Sequence, residues 1–224
     1  MLYTEQTVRD SIRHKDGKRV FYLGPEDRLT PAARSFLRLE HIELCESEET
    51  GRRKPMPDKP EHMTHLNAET LVGKDHPRIA LRGMVDALEA EILLCQKEAG
   101  GAPKVFAALG EILKAVRHAM RCEVLGEPMP EVKLCGMSAA QLRERSHHPE
   151  KYYSQPHFMP QVQDDKLLLQ LNRLRTQVRQ CELAAYRAFQ KGNEKPDRED
   201  LILFWNRLSS LLWILMIQRK KEGA

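Results

Sequence analysis

Apolar side chains recur every three or four residues over most of the chain, which is the spacing of one buried face of an α-helix. This pattern predicts helices over residues 78–98 and 104–121, followed by a longer helix over residues 166–191. A last helix is predicted to start at Pro196. No alternating strand pattern stands out apart from residues 19–23, so the pattern predicts an all-α fold, a bundle of four or five long helices.

Residues 1–45 form a separate small unit in this prediction. Thr30 and Pro31 give it a clear helix start, because a threonine hydroxyl caps free amide groups and proline fits the first helical turn. Residues 46–62 combine a charge run with three prolines and offer almost nothing to bury, which predicts an exposed linker. The helical bundle is then expected over residues 63–224.

The long helix predicted over residues 166–191 carries two stripes, since successive residues turn by about 100°. Its core stripe consists of Leu167, Leu171, Leu174, Val178, Cys181, Ala185 and Phe189. About a quarter-turn away, a polar stripe consists of Arg175, Arg179, Glu182 and Tyr186. This polar stripe is either a surface ladder of ion pairs, worth about 0.3 to 0.5 kcal/mol each, or the lining of a crevice beside the core.

The last helix, which contains "FWNRLSSLLWILMIQ", is apolar except for a short polar cluster. Asn206 and Ser210 share one face of it by their i, i+4 spacing, and buried polar groups need partners. They bond to neighbouring helices, or they face the same cavity as Arg175 and Arg179. In the second case two guanidiniums, an amide and the carboxylate of Glu182, which orients an arginine or reaches Mg²⁺, would suit a polyphosphate.

A second polar segment reads "THLNAETLVGKDHPRIALRGMVDALEAE". Lys74 lies in its loop, and Arg78, Arg82 and Asp86 share one stripe of the following helix. This stripe is either a solvated face with i, i+4 ion pairs or a second part of an anion site. The chain lacks both GxxxxGK followed by Ser or Thr and GxGxxG, which excludes a P-loop and a Rossmann phosphate site.

Composition adds limited constraints. The net charge of +4, from 36 basic and 32 acidic residues, suits an anionic ligand but is too small to indicate nucleic-acid binding. The five cysteines are odd in number and never spaced as CxxC, which favours reduced thiols in a cytosolic protein. No secretory signal is predicted, and the apolar run over residues 201–217 is interrupted by polar side chains, so we expect a buried helix rather than a membrane span.

Three segments together resemble the corrinoid adenosyltransferases of the propanediol- and ethanolamine-utilisation types: "THLNAETLVGKDHPRIALRGMVDALEAE", then "RTQVRQCE", then "NRLSS". The segments "DRLTPAARSFLR", "KPEHMTHL" and "RSHHPEKY" resemble the ethanolamine branch more closely. The resemblance covers nearly the whole chain. It implies a five-helix bundle with a small N-terminal appendage, usually oligomeric, which moves the 5′-deoxyadenosyl group of ATP onto cobalamin.

The resemblance also implies roles for individual residues. It assigns Arg175, Arg179 and Asp86 to catalysis, with Asp86 paired to Arg175. The residues implied on the ATP phosphates are Thr64, Lys74, Arg78 and Arg179. Glu182 and Asn206 would complete the nucleotide site and reach Mg²⁺ through ATP.

The segment "QPHFMPQ" lies where the family places an apolar side chain beneath the corrin. The resemblance therefore makes Phe158, with Met159, the candidate cobalamin contact that displaces the lower axial ligand and eases reduction of cobalt. Ordinary loop packing is the alternative for both residues.

Three departures from the family pattern matter. Residues 46–62 contain no cysteine, so we predict no cysteine-ligated transition metal, although many ethanolamine-type members carry such a cluster. Ser210 stands where the family pattern closes on Asp. The Gly-rich N-terminal phosphate loop of the propanediol type is also missing.

The resemblance implies an ATP-dependent adenosyltransferase serving ethanolamine catabolism, cytoplasmic, beside or inside a bacterial microcompartment. Its expected partners are further copies in a dimer or trimer, a reductant protein, and a microcompartment shell or ethanolamine ammonia-lyase. The alternative function is a helical carrier or chaperone that binds cobalamin or ATP without turnover. A basic helical nucleic-acid binder is a distant third, because the aromatic residues are not interleaved with the basic ones.

Overall fold

The computed structural model describes residues 2–9, 11–15, 18–25, 27–46, 59–67, 70–131, 133–192 and 194–222. The chain divides into two compact units, Met1–Lys59 and Pro60–Ala224. Most of the predicted linker, residues 47–58, lies outside the described residues, so its exposure stays a prediction.

The N-terminal unit is a small α/β fold with a core of its own. Its central sheet places β3 between an antiparallel β2 and a parallel β5, and β1 pairs with β4 in a separate parallel ribbon. Its core residues are Val8, Phe21, Ala33, Phe36, Leu37 and Ile42. Its elements are β1 (Leu2–Tyr3), α1 (Glu5–Arg9), β2 (Arg13–Lys15), β3 (Lys18–Leu23), β4 (Arg28–Leu29), α2 (Pro31–Leu39) and β5 (Glu43–Glu46).

One sequence-based expectation for this unit is confirmed and one is wrong. The α2 start is confirmed, because the Thr30 hydroxyl accepts a hydrogen bond from the Ala33 amide at 3.2 Å and Pro31 is the first helical residue. Only one strand was expected, at residues 19–23, whereas the described part of the unit contains five. The four others are two to four residues long, too short for an alternating pattern to stand out.

The larger unit is the predicted helical bundle, preceded by a short β-hairpin. The hairpin consists of β6 (Met63–His65) and β7 (Leu71–Gly73), paired antiparallel. The helices are α3 (Pro77–Glu98), α4 (Pro103–Leu125), α5 (Ala139–His147), α6 (Pro149–Tyr153), α7 (Lys166–Phe189) and α8 (Glu199–Glu222), with a 3₁₀ turn at Ala99–Gly101 between α3 and α4.

Local signals in the sequence explain where these helices begin and end. The Asp165 carboxylate accepts hydrogen bonds from the Leu167 and Leu168 amides, which caps the start of α7. Helix α4 ends at Leu125 and is capped by Gly126, whose φ of 70° lies in the left-handed region that glycine tolerates. The last helix begins at Glu199, three residues later than predicted, because the Asp197 amide donates to the Phe189 carbonyl and closes a turn instead.

Helix α7 packs against both α3 and α8, while α4 lies against α3 and α5 against α8. Every residue of the predicted core stripe of α7 is buried, which confirms that interpretation of the pattern. Helix α8 is long and apolar enough to cross a membrane by length and composition, but 56% of its apolar window is buried inside the unit. It is therefore a core helix, as the interrupted apolar run predicted.

Candidate active site

A hydrogen-bonded polar cluster joins the middle of α7 to α8. The Asn206 amide nitrogen donates to the Glu182 Oε1 at 2.7 Å, and its oxygen accepts from the Arg207 Nη1 at 2.9 Å. The Ser210 hydroxyl donates to the Asn206 carbonyl at 3.3 Å. These bonds give partners to the polar side chains of an otherwise apolar helix. One oxygen of Glu182, Oε2, makes no hydrogen bond among the described residues.

Guanidinium groups outnumber carboxylates around this cluster. Burial, together with the neighbouring charge of Arg179, lowers the pKa of Arg175. Burial also lowers the pKa of Arg207, and the charge of Arg143 acts in the same direction while Glu182 opposes it. The polar surface formed by Glu182, Arg175, Arg179 and Arg207, called the α7–α8 crevice below, carries more guanidinium groups than carboxylates and suits an anion.

The alternative of an ion-pair ladder along α7 is wrong. Arg175 donates from Nε and Nη2 to the Asn172 Oδ1 at 3.3 and 3.0 Å, and its guanidinium carbon lies 5.7 Å from the Trp213 ring centre. Glu182 bonds to Asn206 rather than to an arginine of its own helix. Arg179 is exposed and forms no ion pair within the described residues.

The expected pairing of Asp86 with Arg175 is not formed among the described residues of a single chain and stays a prediction. Arg173 of α7 pairs with Glu91 of α3 at 2.6 Å, whereas Glu182 bonds to α8. Residues 173 and 182 are about half a turn apart on a helix of 3.6 residues per turn, so α3 and α8 lie on opposite flanks of α7. Arg175 lies on the α8 flank, and Asp86 lies on α3, exposed to solvent.

Arg78 lies at one end of the bundle, away from the crevice. Its Nε donates to Oε1 of the buried Glu123 at 2.5 Å, and its Nη2 donates to the Glu123 carbonyl at 2.7 Å. The Arg78 guanidinium also faces the ring of Phe189, the last residue of α7, at 5.7 Å. Because each helical residue rises by 1.5 Å, Arg179 lies ~15 Å away along α7.

The two other residues assigned to phosphate belong to the hairpin at this same end. Thr64 lies in β6 opposite Val72, and Lys74 follows β7 directly. The Lys74 ammonium is half exposed and 3.9 Å from the Glu61 carboxylate. The predicted phosphate residues thus form two groups in one chain, a hairpin group with Thr64, Lys74 and Arg78, and the crevice with Arg179.

The segment that carries the candidate cobalamin contacts lies against α8. The Phe158 ring stacks on Trp213 with centroids 5.1 Å apart, and the Lys220 ammonium lies 5.6 Å from the Phe158 ring centre. His157 stacks on the same indole at 5.7 Å. Met159 is 79% exposed. Both the corrin contact and ordinary loop packing therefore stay open for Phe158.

Comparison with known proteins places this arrangement in a family. A sequence model described as cobalamin adenosyltransferase matches residues 57–218. The chain belongs to the cobalamin adenosyltransferase family. It is 29% identical over 244 residues to the corrinoid adenosyltransferase EutT of Escherichia coli strain K12, an alignment that covers 96% of this chain and 90% of that protein. EutT of Salmonella typhimurium strain LT2 is 26% identical with the same coverage.

Solved structures with the same fold include PduO-type adenosyltransferases of Lactobacillus reuteri. One variant, an ATP:corrinoid adenosyltransferase complexed with cobalamin and ATP, has a TM-score of 0.56 and 16% identity, and covers 72% of this chain and 90% of its own. Another variant, complexed with ATP, has a TM-score of 0.54 and 17% identity, and covers 70% and 87%. The predictions of the family, of a helical bundle and of an adenosyltransferase are confirmed.

The sequence pattern did not reveal two residues with polar or aromatic contacts, Glu123 at the hairpin end of the bundle and Trp213 beside Arg175. Glu123 is 2% exposed and lies at the end of the apolar face of α4. The apolar pattern did not predict that two arginines of α3 would bond to it. Trp213 contacts both Arg175 and Phe158, but in the sequence it is one more apolar residue of α8. The signal that could have found Glu123 is a carboxylate among core positions, which requires a cationic partner.

The donor atoms of the crevice fit Mg²⁺ in one respect. Mg²⁺ is usually bound through one or two carboxylates and the phosphates of its substrate. The free Oε2 of Glu182 can serve as such a ligand. The oxygen of Asn206 accepts from Arg207, so Asn206 orients Glu182 rather than contacting the ion in this arrangement.

Other metal ligands are scarce. Within the described ranges no group of three or more His, Cys, Asp or Glu is placed to hold a metal ion. Burial, with the nearby carboxylates of Glu91 and Glu98, raises the pKa of Cys95 to about 11, and burial raises the pKa of Cys181 to about 12. These thiols are therefore protonated, whereas the thiolate is the form that binds metals. The predicted absence of a cysteine-ligated metal in residues 46–62 stays a prediction.

Proposed function

We propose that this chain transfers the 5′-deoxyadenosyl group of ATP to cob(I)alamin, and that the adenosylcobalamin formed serves ethanolamine utilisation. The observation that carries the proposal is the cluster of arginines around the hydrogen-bonded pair Glu182 and Asn206, in a member of the cobalamin adenosyltransferase family. The EutT relatives are named corrinoid adenosyltransferases, and this chain spans 90% of their length. ATP and cobalamin are accordingly its proposed substrates.

The proposed reaction needs an anion site more than a general base. Cobalt(I) is a nucleophile that bonds to the 5′ carbon of ATP, while the bond from that carbon to the phosphate oxygen breaks and the polyphosphate leaves. Lys74, Arg78 and Arg179 would stabilise the charge that develops on the leaving oxygen. Bound Mg²⁺ would offset phosphate charge, with Glu182 as its protein ligand and Asn206 fixing that carboxylate.

Phe158 is the proposed contact beneath the corrin, with Met159 beside it. Its stacking on Trp213 keeps the segment against α8, and Arg175 lies over the same indole. A corrin held here would be close to the α7–α8 crevice, which favours an in-line arrangement of cobalt and the 5′ carbon.

We further propose a homo-oligomer, either a dimer or a trimer, in which Asp86 of one copy meets Arg175 of the next. The two residues lie on opposite flanks of α7 in one chain, and Asp86 has no ion pair within the described residues. Exposed apolar side chains beside the crevice, Leu183 and Tyr186 of α7 and Leu203 of α8, offer surface for such contacts. In such an oligomer, the hairpin group of one copy would also lie beside the crevice of the next.

The cellular setting follows from the proposed substrates. The protein would work in the cytoplasm, beside or inside a bacterial microcompartment, because ethanolamine ammonia-lyase would consume its product. A reductant protein must deliver the electron that converts cobalt(II) to cobalt(I). A shell contact through the N-terminal unit is a further proposed partner.

The direct test of the crevice compares two variants on opposite flanks of α7. Glu182→Gln should lower kcat for adenosyl transfer by at least about tenfold and weaken the dependence on Mg²⁺. Arg173→Ala, which removes an exposed ion pair on the α3 flank, should keep the wild-type rate. Equal loss in both variants would contradict the proposed site, and tight binding of both substrates without transfer in the wild type would indicate a carrier.

A further inference from the structure

A buried carboxylate at the hairpin end of the bundle has no part in the proposed reaction. Glu123 of α4 is 2% exposed, and its two oxygens accept from different arginines of α3. Oε1 accepts from the Arg78 Nε at 2.5 Å and Oε2 from the Arg82 Nε at 2.6 Å. Such charge-assisted bonds are short, directional and stronger than neutral ones. Both guanidiniums are therefore fixed by one side chain.

Arg82 extends this arrangement to the hairpin. Its Nη2 donates to the Leu66 carbonyl at 2.8 Å, and its Nη1 lies 3.4 Å from the His65 carbonyl. The guanidinium is a rigid planar fork, so the orientation that Glu123 imposes on Nε also fixes where the two other nitrogens point. Arg82 is thus a bridge from the interior of the bundle to the end of β6.

The hairpin needs such an anchor because it is small. Its strands have three residues each, and an isolated two-stranded hairpin is marginally stable in water. All six strand residues are only partly buried, and none of them belongs to the hydrophobic core of the described part of the bundle. Its position relative to α3 therefore depends strongly on the bonds from Arg82.

We propose that Arg82 and Glu123 are positioning residues for ATP. Together they hold the hairpin, with Thr64 in β6 and Lys74 after β7, in the conformation that meets the phosphates. Glu123 also orients Arg78, whose Nη1 has no hydrogen-bond partner among the described residues and is left for an anion. This inference rests on the proposed function and names residues that prepare its phosphate site without touching the substrates.

The test replaces the guanidinium of Arg82 with another positively charged group. Arg82→Lys leaves a single ammonium, which cannot bond to Glu123 and to both carbonyls in the same geometry. Arg117→Lys is the matched control. Arg117 of α4 pairs with Glu89 of α3 at 2.8 Å between the same two helices, but it makes no bond to the described residues of the hairpin. Glu123→Gln is the second test variant, which keeps the shape and removes the charge.

Two readouts separate positioning from general stability. Hydrogen exchange of the Leu66 and Lys74 amides, which donate to the Thr70 and His62 carbonyls, reports on the hairpin without any turnover. Arg82→Lys should speed this exchange about tenfold and raise the KM for ATP about tenfold, a change that corresponds to ~1.4 kcal/mol. The KM for cobalamin should stay within about twofold. The control variant should leave all three quantities unchanged.

Unchanged exchange in Arg82→Lys would overturn the inference, and so would faster exchange with an unchanged KM for ATP. An equal rise in the KM for ATP and the KM for cobalamin would mean that Arg82 and Glu123 only support the fold. That result would also overturn the inference. If Glu123→Gln fails to fold, Arg82→Lys decides alone. Failure of the wild-type protein to transfer the adenosyl group would contradict the proposed function instead. In that case the dissociation constant for Mg·ATP, measured by calorimetry, replaces its KM in the same comparison.

Discussion

Arg179 differs from the polar residues around it because its side chain has no hydrogen-bond partner among the described residues. Asn206 bonds to both Glu182 and Arg207, and Arg175 bonds to Asn172. Arg179 is exposed and makes no ion pair within the described ranges. A permanently charged side chain beside a cationic crevice, with no protein partner there, is best explained as a contact for a bound anion.

Arg179→Ala should therefore weaken ATP binding without loss of stability. A hydrogen bond to a charged group contributes about 1.5 to 3 kcal/mol, so the dissociation constant for ATP should rise at least about tenfold. The free energy of unfolding should change by less than about 0.5 kcal/mol, as for most exposed substitutions. Calorimetric titration with ATP and thermal unfolding measure the two quantities.

The control is Arg187→Ala, an exposed arginine on the same helix but turned away from the crevice. It should bind ATP like the wild type. A large loss of stability in Arg179→Ala together with normal ATP affinity would make Arg179 a structural residue.

At the scale of elements, long helices could be predicted from the sequence and short strands could not. Helices α3, α4 and α7 repeat apolar residues over six or more turns, so the periodicity alone is enough to assign their buried faces. The strands of the N-terminal unit owe their conformation to pairing with one another, which a two- to four-residue pattern does not reveal.

The candidate site divides in the same way. Residues 175 and 182 could be grouped because one helix carries both, and the wheel gives their common face. The wheel could not show that Asp86 lies on the other flank of α7, since that depends on how three helices pack. A helical wheel also could not predict that Glu123 contacts Arg78 and Arg82, which are more than forty residues away in the chain.

The segment from Ser154 to Asp164 carries the proposed corrin contact, and its role can be tested directly. It has no helix or strand, and Phe158 fixes it on α8 by stacking on Trp213. If Phe158 lies beneath the corrin, it affects the reduction of cobalt and not the transfer that follows. Phe158→Ala should then transfer from pre-reduced cobalt(I) at the wild-type rate and from cobalt(II) at least about tenfold more slowly.

Phe106→Ala, at an exposed aromatic residue of α4, is the control and should leave both rates unchanged. Equal rates of Phe158→Ala from cobalt(I) and cobalt(II), or equal losses in both, would leave Phe158 with a packing role.

At the scale of the whole molecule, the positions of α3 and α8 on opposite flanks of α7 bear on the assembly of the proposed site. In the proposed assembly, a second copy would join the hairpin group to the crevice and Asp86 to Arg175. The exposed apolar residues of α7 and α8 beside the crevice are consistent with that assembly. The proposed oligomer would then also complete the proposed site.

A charge exchange tests the assembly. Asp86→Arg and Arg175→Asp should each reduce the oligomer in sedimentation velocity, because each sets like charges against each other across the interface. The double variant should recover part of the association, since its charges are again opposite. A wild-type protein that sediments as a monomer while it transfers the adenosyl group would contradict the assembly, and so would two single variants with unchanged sedimentation.

Adenosyl transfer itself is the most direct test of the central claim. Chemically reduced cobalamin and Mg·ATP are incubated without oxygen, with and without the protein, and the absorption spectrum is followed before and after exposure to light. We expect a protein-dependent product whose cobalt–carbon bond is broken by light. Tight binding of ATP and cobalamin with no such product would contradict the proposed function and identify the chain as a carrier.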